Sequence, residues 1–126
     1  MEKITGIGGV FLRARDAASL RAWYVAHLGI DLDERYGGAQ LPAPADGSVT
    51  WALFPHETEY LGPAAQAVMV NYRVADLDAM LAQLRAAGAE VDETTDQNET
   101  GRFGWAADPE GNRFELWQPS DDNGSD

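Results

Sequence analysis

The sequence predicts an α+β fold built from two tandem β-α-β-β-β modules within one domain. Three observations support this fold class. The chain has 126 residues, which is the usual size of a single domain. The segments Val10–Asp16 (VFLRARD) and Val70–Asp76 (VNYRVAD) share valine, arginine and aspartate at one constant offset. Each segment leads into an apolar pattern of helical spacing, then into short strand candidates, so the chain reads as two copies of a half-domain.

The first module begins with a strand, because apolar and polar residues alternate over Val10–Ala14. Asp16 is a good N-cap, and the apolar stripe that follows it predicts a helix ending at Gly29. Strands are predicted at Ile30–Leu32 and at Ser48–Phe54, the second of which is rich in β-forming residues.

The second module repeats this order. Asp76 caps a helix whose apolar stripe ends at Gly88, and Glu90–Asp92 and Gly101–Ala107 are predicted strands. The tetrapeptide Asp-Pro-Glu-Gly at positions 108–111 predicts a turn, because proline presets φ and glycine tolerates positive φ. A last strand follows over Asn112–Gln118, with phenylalanine and leucine on one face.

The remaining segments are predicted to be irregular. Gly37–Gly47, with two prolines and three glycines, is a predicted loop, and Pro55–Ala65 is predicted to connect the modules. The expected organisation is one domain over residues 1–119, with module one at about 4–55 and module two at about 66–119. Residues 120–126 are predicted to form a disordered acidic tail.

Composition excludes several functions. The chain has 9 Lys and Arg residues and 21 Asp and Glu residues, which gives a formal net charge of −12. This negative charge argues against nucleic-acid binding. No apolar run approaches the roughly 20 residues of a membrane span, so no membrane partner is expected. The chain has no cysteine, which excludes disulfides, thiolate metal sites and a cysteine nucleophile. A cytoplasmic location is expected.

The motif DPEGNRFELWQP, residues 108–119, and the two strand-Asp-helix openings resemble the vicinal oxygen chelate superfamily of glyoxalases, bleomycin-resistance proteins and extradiol dioxygenases. The resemblance covers residues 4–119. It implies that both modules form one curved mixed sheet around a cleft. Resemblance to the bleomycin-resistance branch further implies a homodimer. Because many chemistries share this scaffold, the resemblance does not by itself identify the function.

Metal-dependent members of the superfamily carry ligands seven residues before each capping aspartate, in the final strand and in the last strand of module one. The corresponding residues here are Gly9, Met69, Glu115 and either Trp51 or Ala52. Only Glu115 matches the pattern, because glycine has no donor and a thioether suits Cu(I) rather than harder divalent ions. Neither histidine lies at a ligand position. No metal and no cofactor are therefore expected.

Strand alternation places a mixture of aromatic and polar side chains on the concave face, as a small-molecule pocket requires. The predicted ligand-binding residues are Arg13, Phe54, Asn71, Arg73, Trp105, Glu115 and Trp117. The two arginines are candidates to hold a carboxylate or phosphate, or alternatively to form ion pairs with Glu115 or another acid. Glu115 is the candidate catalytic residue, as general base, or a scaffold residue paired with an arginine. The tryptophans stack on a planar ligand, or belong to the core or to a dimer interface.

Three functional hypotheses follow. The first is a metal-independent small-molecule binding protein of the glyoxalase and bleomycin-resistance type, whose ligand is aromatic or anionic. The second is a lyase or isomerase that uses Glu115 or an unrecognised divalent metal. The third is a structural or regulatory dimer with a vestigial cleft.

Overall fold

The structure is a computed structural model that describes residues 1–35, 37–43 and 47–120. These residues form two helices and eight strands, which confirms the α+β fold class. The elements in chain order are β1 (Ile4–Ala14), α1 (Ala17–Leu28), β2 (Ala39–Ala43), β3 (Gly47–Pro55), β4 (Val68–Val74), α2 (Leu77–Ala86), β5 (Glu90–Val91), β6 (Asp96–Asn98), β7 (Gly101–Ala107) and β8 (Arg113–Pro119).

Two compact units make up the chain, and the first comprises Gly9–Met69. Its strands run in the order β2-β3-β1, with β1 parallel and β2 antiparallel to β3. Helix α1 packs on one face of these strands. There Trp51 and Leu53 form a cluster with Ala14, against which Leu20 and Tyr24 of the helix pack.

The second unit comprises Met1–Gly8 and the residues from Val70 onward. Its strands run β4-β8-β7-β5, with β6 paired to β7; β4 and β8 are parallel, whereas the other pairs are antiparallel. Leu77 and Leu81 of α2 lie in a buried cluster with Val74 and Leu116 of the strands. The predicted alternation in β4 and β8 is confirmed, since these strand residues face the helix.

Aspartate caps begin both helices, as predicted. The Asp16 carboxylate accepts the backbone N–H of Ser19 at 3.1 Å, and Asp76 accepts that of Ala79 at 3.0 Å. Hydrogen bonds from the backbone and hydroxyl of Ser19 lower the pKa of Asp16. Gly29 ends α1 in the left-handed conformation, with φ 68°. In α2 the glycine does not follow the helix immediately. The helix ends at Ala86, and Gly88, in the left-handed conformation, lies two residues later.

Two predictions about the strands are wrong, and one strand was not predicted. Ile30–Leu32 is not a strand; the nearest pairing is an isolated bridge at Asp33. Gly37–Gly47 is not wholly a loop, because it contains β2 and the first residue of β3. Proline is tolerated there because β2 is an edge strand. The short strand β6 carried no strand pattern and forms only by pairing with β7.

Two further expectations concern the end of the chain and the membrane. Residues 121–126 of the predicted acidic tail lie outside the described residues, whereas the Ser120 hydroxyl donates to the carbonyl of Glu99 at 3.0 Å. Among the described residues, no helix is long and apolar enough to cross a membrane.

We predict that Asp16→Ala lowers the melting temperature by a few degrees at neutral pH, because it removes the α1 N-cap. The pKa of Asp16 is lowered in the folded state. The stabilisation of the folded state by Asp16 is therefore complete above the ordinary carboxyl pKa of about 3.9. It is lost as the pH falls through the lowered pKa of the folded state. Thermal unfolding from pH 7 to pH 2 measures both effects.

The matched control is Asp16→Asn, which keeps a capping oxygen but cannot titrate. It should retain most of the stability at neutral pH without the acid-dependent loss. Equal destabilisation by alanine at pH 2 and pH 7 would contradict the assigned cap.

Candidate functional site

The candidate site lies on the face of the second unit that points away from α2. Strand register brings its central residues side by side: Asn71 of β4 pairs with Glu115 of β8, which pairs with Trp105 of β7. Because Leu116 packs against α2, its neighbour Glu115 projects to the opposite face. The final strand therefore places a carboxylate between an amide and an indole.

The Glu115 carboxylate is buried, with 2% of the residue exposed, and both of its oxygens accept hydrogen bonds. Asn71 Nδ2 donates to Oε1 at 2.5 Å, and Trp105 Nε1 donates to Oε2 at 3.0 Å. A carboxylate removed from water is stable only when such donors replace its hydration. We call these three residues the carboxylate network.

A glycine makes room for the network. The Asn71 amide directs Nδ2 toward Glu115, so its Oδ1 points to Gly8 and occupies the space where a Cβ of residue 8 would stand. This oxygen is buried and has no hydrogen-bond partner among the described residues. A larger side chain at position 8 would also meet the ring of Trp117. The network therefore depends on the missing Cβ.

Beside the network lies a partly accessible aromatic stack. The rings of Trp117 and Phe103 are parallel, with centroids 6.1 Å apart, and the Arg73 guanidinium lies 4.6 Å from the Trp117 centroid. Trp117 Nε1 donates to the carbonyl of Thr100 at 2.9 Å, which fixes the indole. We call Arg73, Trp117 and Phe103 the Trp117 stack; it presents a planar surface with a cation at one side.

Arg13, a predicted ligand-binding residue, lies in the first unit and has a different role there. Its guanidinium donates to five backbone carbonyls of the segment after β3, at 2.7 to 3.5 Å. The acceptors are His56, Thr58, Gly62, Pro63 and Gln66. Since a guanidinium has five N–H groups, this segment uses its whole donor capacity. Within the described residues, the partners of the Arg13 guanidinium are thus backbone carbonyls, and no ion pair with Glu115 or another acid is seen.

Phe54 also lies in the first unit, in an aromatic group of its own. Its ring stacks on that of Tyr60, with the ring centroids 5.2 Å apart, and its centroid lies 5.5 Å from that of Phe11. The structure thus brings together five of the seven predicted residues in the second unit, and places Arg13 and Phe54 in the first.

Sequence reasoning missed three residues of these groups. Phe103 could have been found, because it lies two residues before Trp105 on β7 and therefore points to the same face. Gly8 could not, since strict alternation from Gly9 places it on the other face. Tyr60 lies in a predicted connection, where no strand pattern assigns a face.

The residues present do not fit the divalent metal that the superfamily resemblance implies. Gly9 has no donor, and Met69 offers only a buried thioether. Trp51 packs on the α1 side, which leaves Ala52 at the third position. Glu115 already accepts two N–H donors. Among the described residues, no three His, Cys, Asp or Glu side chains gather into a metal-binding group.

We predict that Gly8→Ala lowers the free energy of unfolding by about 2 kcal/mol, because its Cβ would overlap Asn71 Oδ1. Chemical denaturation measures this. Gly6→Ala is the matched control, since its Cβ would meet only Arg73 Cδ, at an ordinary 3.8 Å. Equal effects of the two substitutions would contradict the close approach at Gly8.

We also predict that Arg13→Gln speeds amide exchange at Thr58 and Gly62 roughly tenfold, because most of the guanidinium bonds to this segment are lost. The Thr58 amide donates to the carbonyl of Pro55 at the end of β3, and the Gly62 amide donates to that of Glu59. Arg15→Gln, at an exposed position two residues along, should leave them unchanged. Unaltered exchange in Arg13→Gln would contradict the anchoring role.

Comparison with known proteins identifies the fold family. A family model described as a glyoxalase-like domain matches residues 9–117. No curated protein matches the chain significantly. Among solved structures, the methylmalonyl-CoA epimerase of Mycobacterium tuberculosis is 25% identical, with a TM-score of 0.64 over 93% of this chain and 89% of that one.

Two other structures share the fold at lower identity. A methylmalonyl-CoA epimerase in complex with methylmalonyl-CoA and NH4+ is 19% identical, with a TM-score of 0.71 over 94% of this chain and 96% of that one. A glyoxalase/bleomycin resistance protein/dioxygenase superfamily member from Vibrio splendidus 12B01 is 13% identical, with a TM-score of 0.57 over 94% and 99%. The family match over most of the chain identifies this protein as a member of the glyoxalase-like family.

Proposed function

We propose that the protein is a metal-independent small-molecule binding protein of the glyoxalase and bleomycin-resistance type. The observation that carries this proposal is the carboxylate network. Glu115, the one residue that matches the superfamily's ligand pattern, directs both oxygens to N–H donors of its own chain. A divalent ion would be left with the remaining lone pairs of Glu115, and among the described residues no three His, Cys, Asp or Glu side chains gather to complete its coordination.

The ligand that best suits this face is planar and anionic. The Trp117 stack offers an indole and a phenyl ring, both partly exposed, on which a planar group can lie. The Arg73 guanidinium beside the indole favours a carboxylate or phosphate on that group. Apolar area for affinity and a few polar groups for orientation are the usual composition of a small-ligand site.

A second candidate is an isomerase that uses Glu115 as general base, or a related lyase, with or without a divalent metal of unrecognised ligation. The similarity to methylmalonyl-CoA epimerases favours it. Its difficulty is that Glu115 is buried and already accepts two hydrogen bonds, so a substrate proton would have to reach one of the remaining lone pairs. A third candidate, a structural or regulatory dimer, would need no ligand.

The proposal includes the expected organisation. Residues 1–119 form one domain of two modules, with residues 120–126 as its tail. The chain acts as a homodimer in the cytoplasm, whose reducing conditions suit a protein without cysteines.

We predict that planar aromatic carboxylates, with 1-naphthoate as the reference probe, raise the melting temperature in the presence of EDTA. The uncharged 1-naphthalenemethanol should give a smaller shift. Arg73→Gln should weaken 1-naphthoate binding roughly tenfold, because it removes the cation of the Trp117 stack. Arg15→Gln is the matched control and should bind normally.

The outcomes separate the three candidates. Failure of every probe to stabilise the protein would contradict ligand binding and favour the structural dimer. One divalent ion per chain, lost in Glu115→Gln, would contradict metal independence. Glu115-dependent exchange of the α-proton of methylmalonyl-CoA with solvent deuterium would favour the isomerase.

A further inference from the structure

The Trp117 indole is held from two sides by groups outside its own strand. Its Nε1 donates to the carbonyl of Thr100 at 2.9 Å, and its Cε3 lies 2.9 Å from the point where a Cβ of Gly8 would stand. Thr100 belongs to the two-residue loop between β6 and β7, whereas Gly8 belongs to β1. The orientation of the ring therefore depends on the position of that loop.

The loop between β6 and β7 is ordered by hydrogen bonds on both sides. Asn98 Oδ1 accepts the backbone N–H of Thr100 at 2.8 Å and its hydroxyl at 2.6 Å. A side-chain oxygen that accepts the amide two residues further on forms an Asx turn, which restricts the conformation of a short loop. The Ser120 hydroxyl donates to the carbonyl of Glu99 at 3.0 Å. Both loop residues are thus tied to the chain beside them.

Gly101, directly after the loop, makes room for the indole. Its φ is 137°, and an added Cβ would overlap the carbonyl of Gln118 and would lie 2.8 Å from Trp117 Nε1. Glycine takes this backbone conformation without strain, and its missing Cβ lets the indole N–H approach the loop closely. The acceptor at Thr100 and the space beside it therefore come from adjacent residues.

The oxygens of this loop are occupied by donors of the chain itself. The Thr100 carbonyl accepts the Trp117 indole N–H and the backbone N–H of Ser120, the second at 3.1 Å. A carbonyl oxygen has two lone pairs, so these two donors use both. The loop thus acts on the orientation of the indole, and a ligand would meet the ring rather than this carbonyl.

The orientation of the indole determines the shape of the Trp117 stack. The planes of Trp117 and Phe103 differ by only 2°, and the Arg73 guanidinium lies 4.6 Å from the indole centroid. A planar ligand gains from a ring whose face is already presented, because less side-chain freedom is lost on binding. An indole that rotates away from the Thr100 carbonyl would lose this parallel arrangement.

We propose that Asn98 is a positioning residue for ligand binding. Through Thr100 it fixes the Trp117 indole in the plane on which a planar anionic ligand lies. Asn98 itself is exposed and lies outside the Trp117 stack, so it acts on the ring through the loop. This proposal rests on the proposed function of the Trp117 stack and adds a residue that controls its geometry.

Hydrogen exchange of the Trp117 indole N–H, measured by NMR on the ligand-free protein, tests the positioning. Asn98→Ala removes the acceptor of the loop and should speed this exchange roughly fivefold. Asn98→Asp keeps an oxygen for both Thr100 donors and should restore the parent rate. Gln97→Ala, at the exposed neighbouring position of β6, is the matched control and should exchange as the parent does. Circular dichroism confirms that each variant is folded.

The same variants test the effect on binding. In about 150 mM NaCl, which screens the added charge of Asn98→Asp, only Asn98→Ala should weaken 1-naphthoate binding, roughly fivefold. Unchanged indole exchange in Asn98→Ala, or faster exchange with unaltered 1-naphthoate affinity, would overturn the positioning role. The two proposals fail separately: a parent that binds no probe would contradict the proposed function, whereas exchange in the ligand-free protein tests the hold of Asn98 on the indole.

Discussion

The candidate site depends on a buried carboxylate that its own chain satisfies. Glu115 lies in the middle of β8, and the strands on either side supply its two donors, Asn71 and Trp105. Removing one donor would leave an oxygen of the buried carboxylate without a partner, which typically costs about 1 to 3 kcal/mol. The strand register, the orientation of the amide and the missing Cβ at Gly8 all serve this one arrangement.

The polar residues of the two units have different structural roles. In the second unit, the carboxylate network is buried and the Trp117 stack beside it stays partly open. In the first, Arg13 directs every N–H to the segment after β3, in which Tyr60 stacks on Phe54. The repeated arginine of the two modules, Arg13 and Arg73, thus anchors a loop in one unit and covers an indole in the other.

Much of the fold could be predicted because local signals coincide. The capping aspartates, the apolar stripes of the helices and the turn at Asp108 each have a short-range cause. Strand β6 and the pairing of β2 could not be predicted, because both exist through partner strands. The prediction for Ile30–Leu32 failed for the same reason: without a partner strand, its apolar residues do not extend the sheet.

Site residues could be predicted where side chains alternate regularly between the two faces of a strand. They could not be predicted where contacts between distant segments determine their role. Asn71, Glu115 and Trp117 follow from strand parity and lie on one face. The use of Arg13 depends on a loop whose path no pattern encodes, and the contribution of Gly8 depends on a side chain 63 residues away in the sequence.

The most direct test of the account is NMR observation of the Trp105 indole N–H and the Asn71 side-chain amide during titration with Mn²⁺. A carboxylate committed to these two donors predicts slow solvent exchange of the indole proton and no selective paramagnetic broadening at one equivalent of the ion. Loss of both signals at stoichiometric Mn²⁺, with other resonances intact, would show that Glu115 binds a metal and would contradict the account.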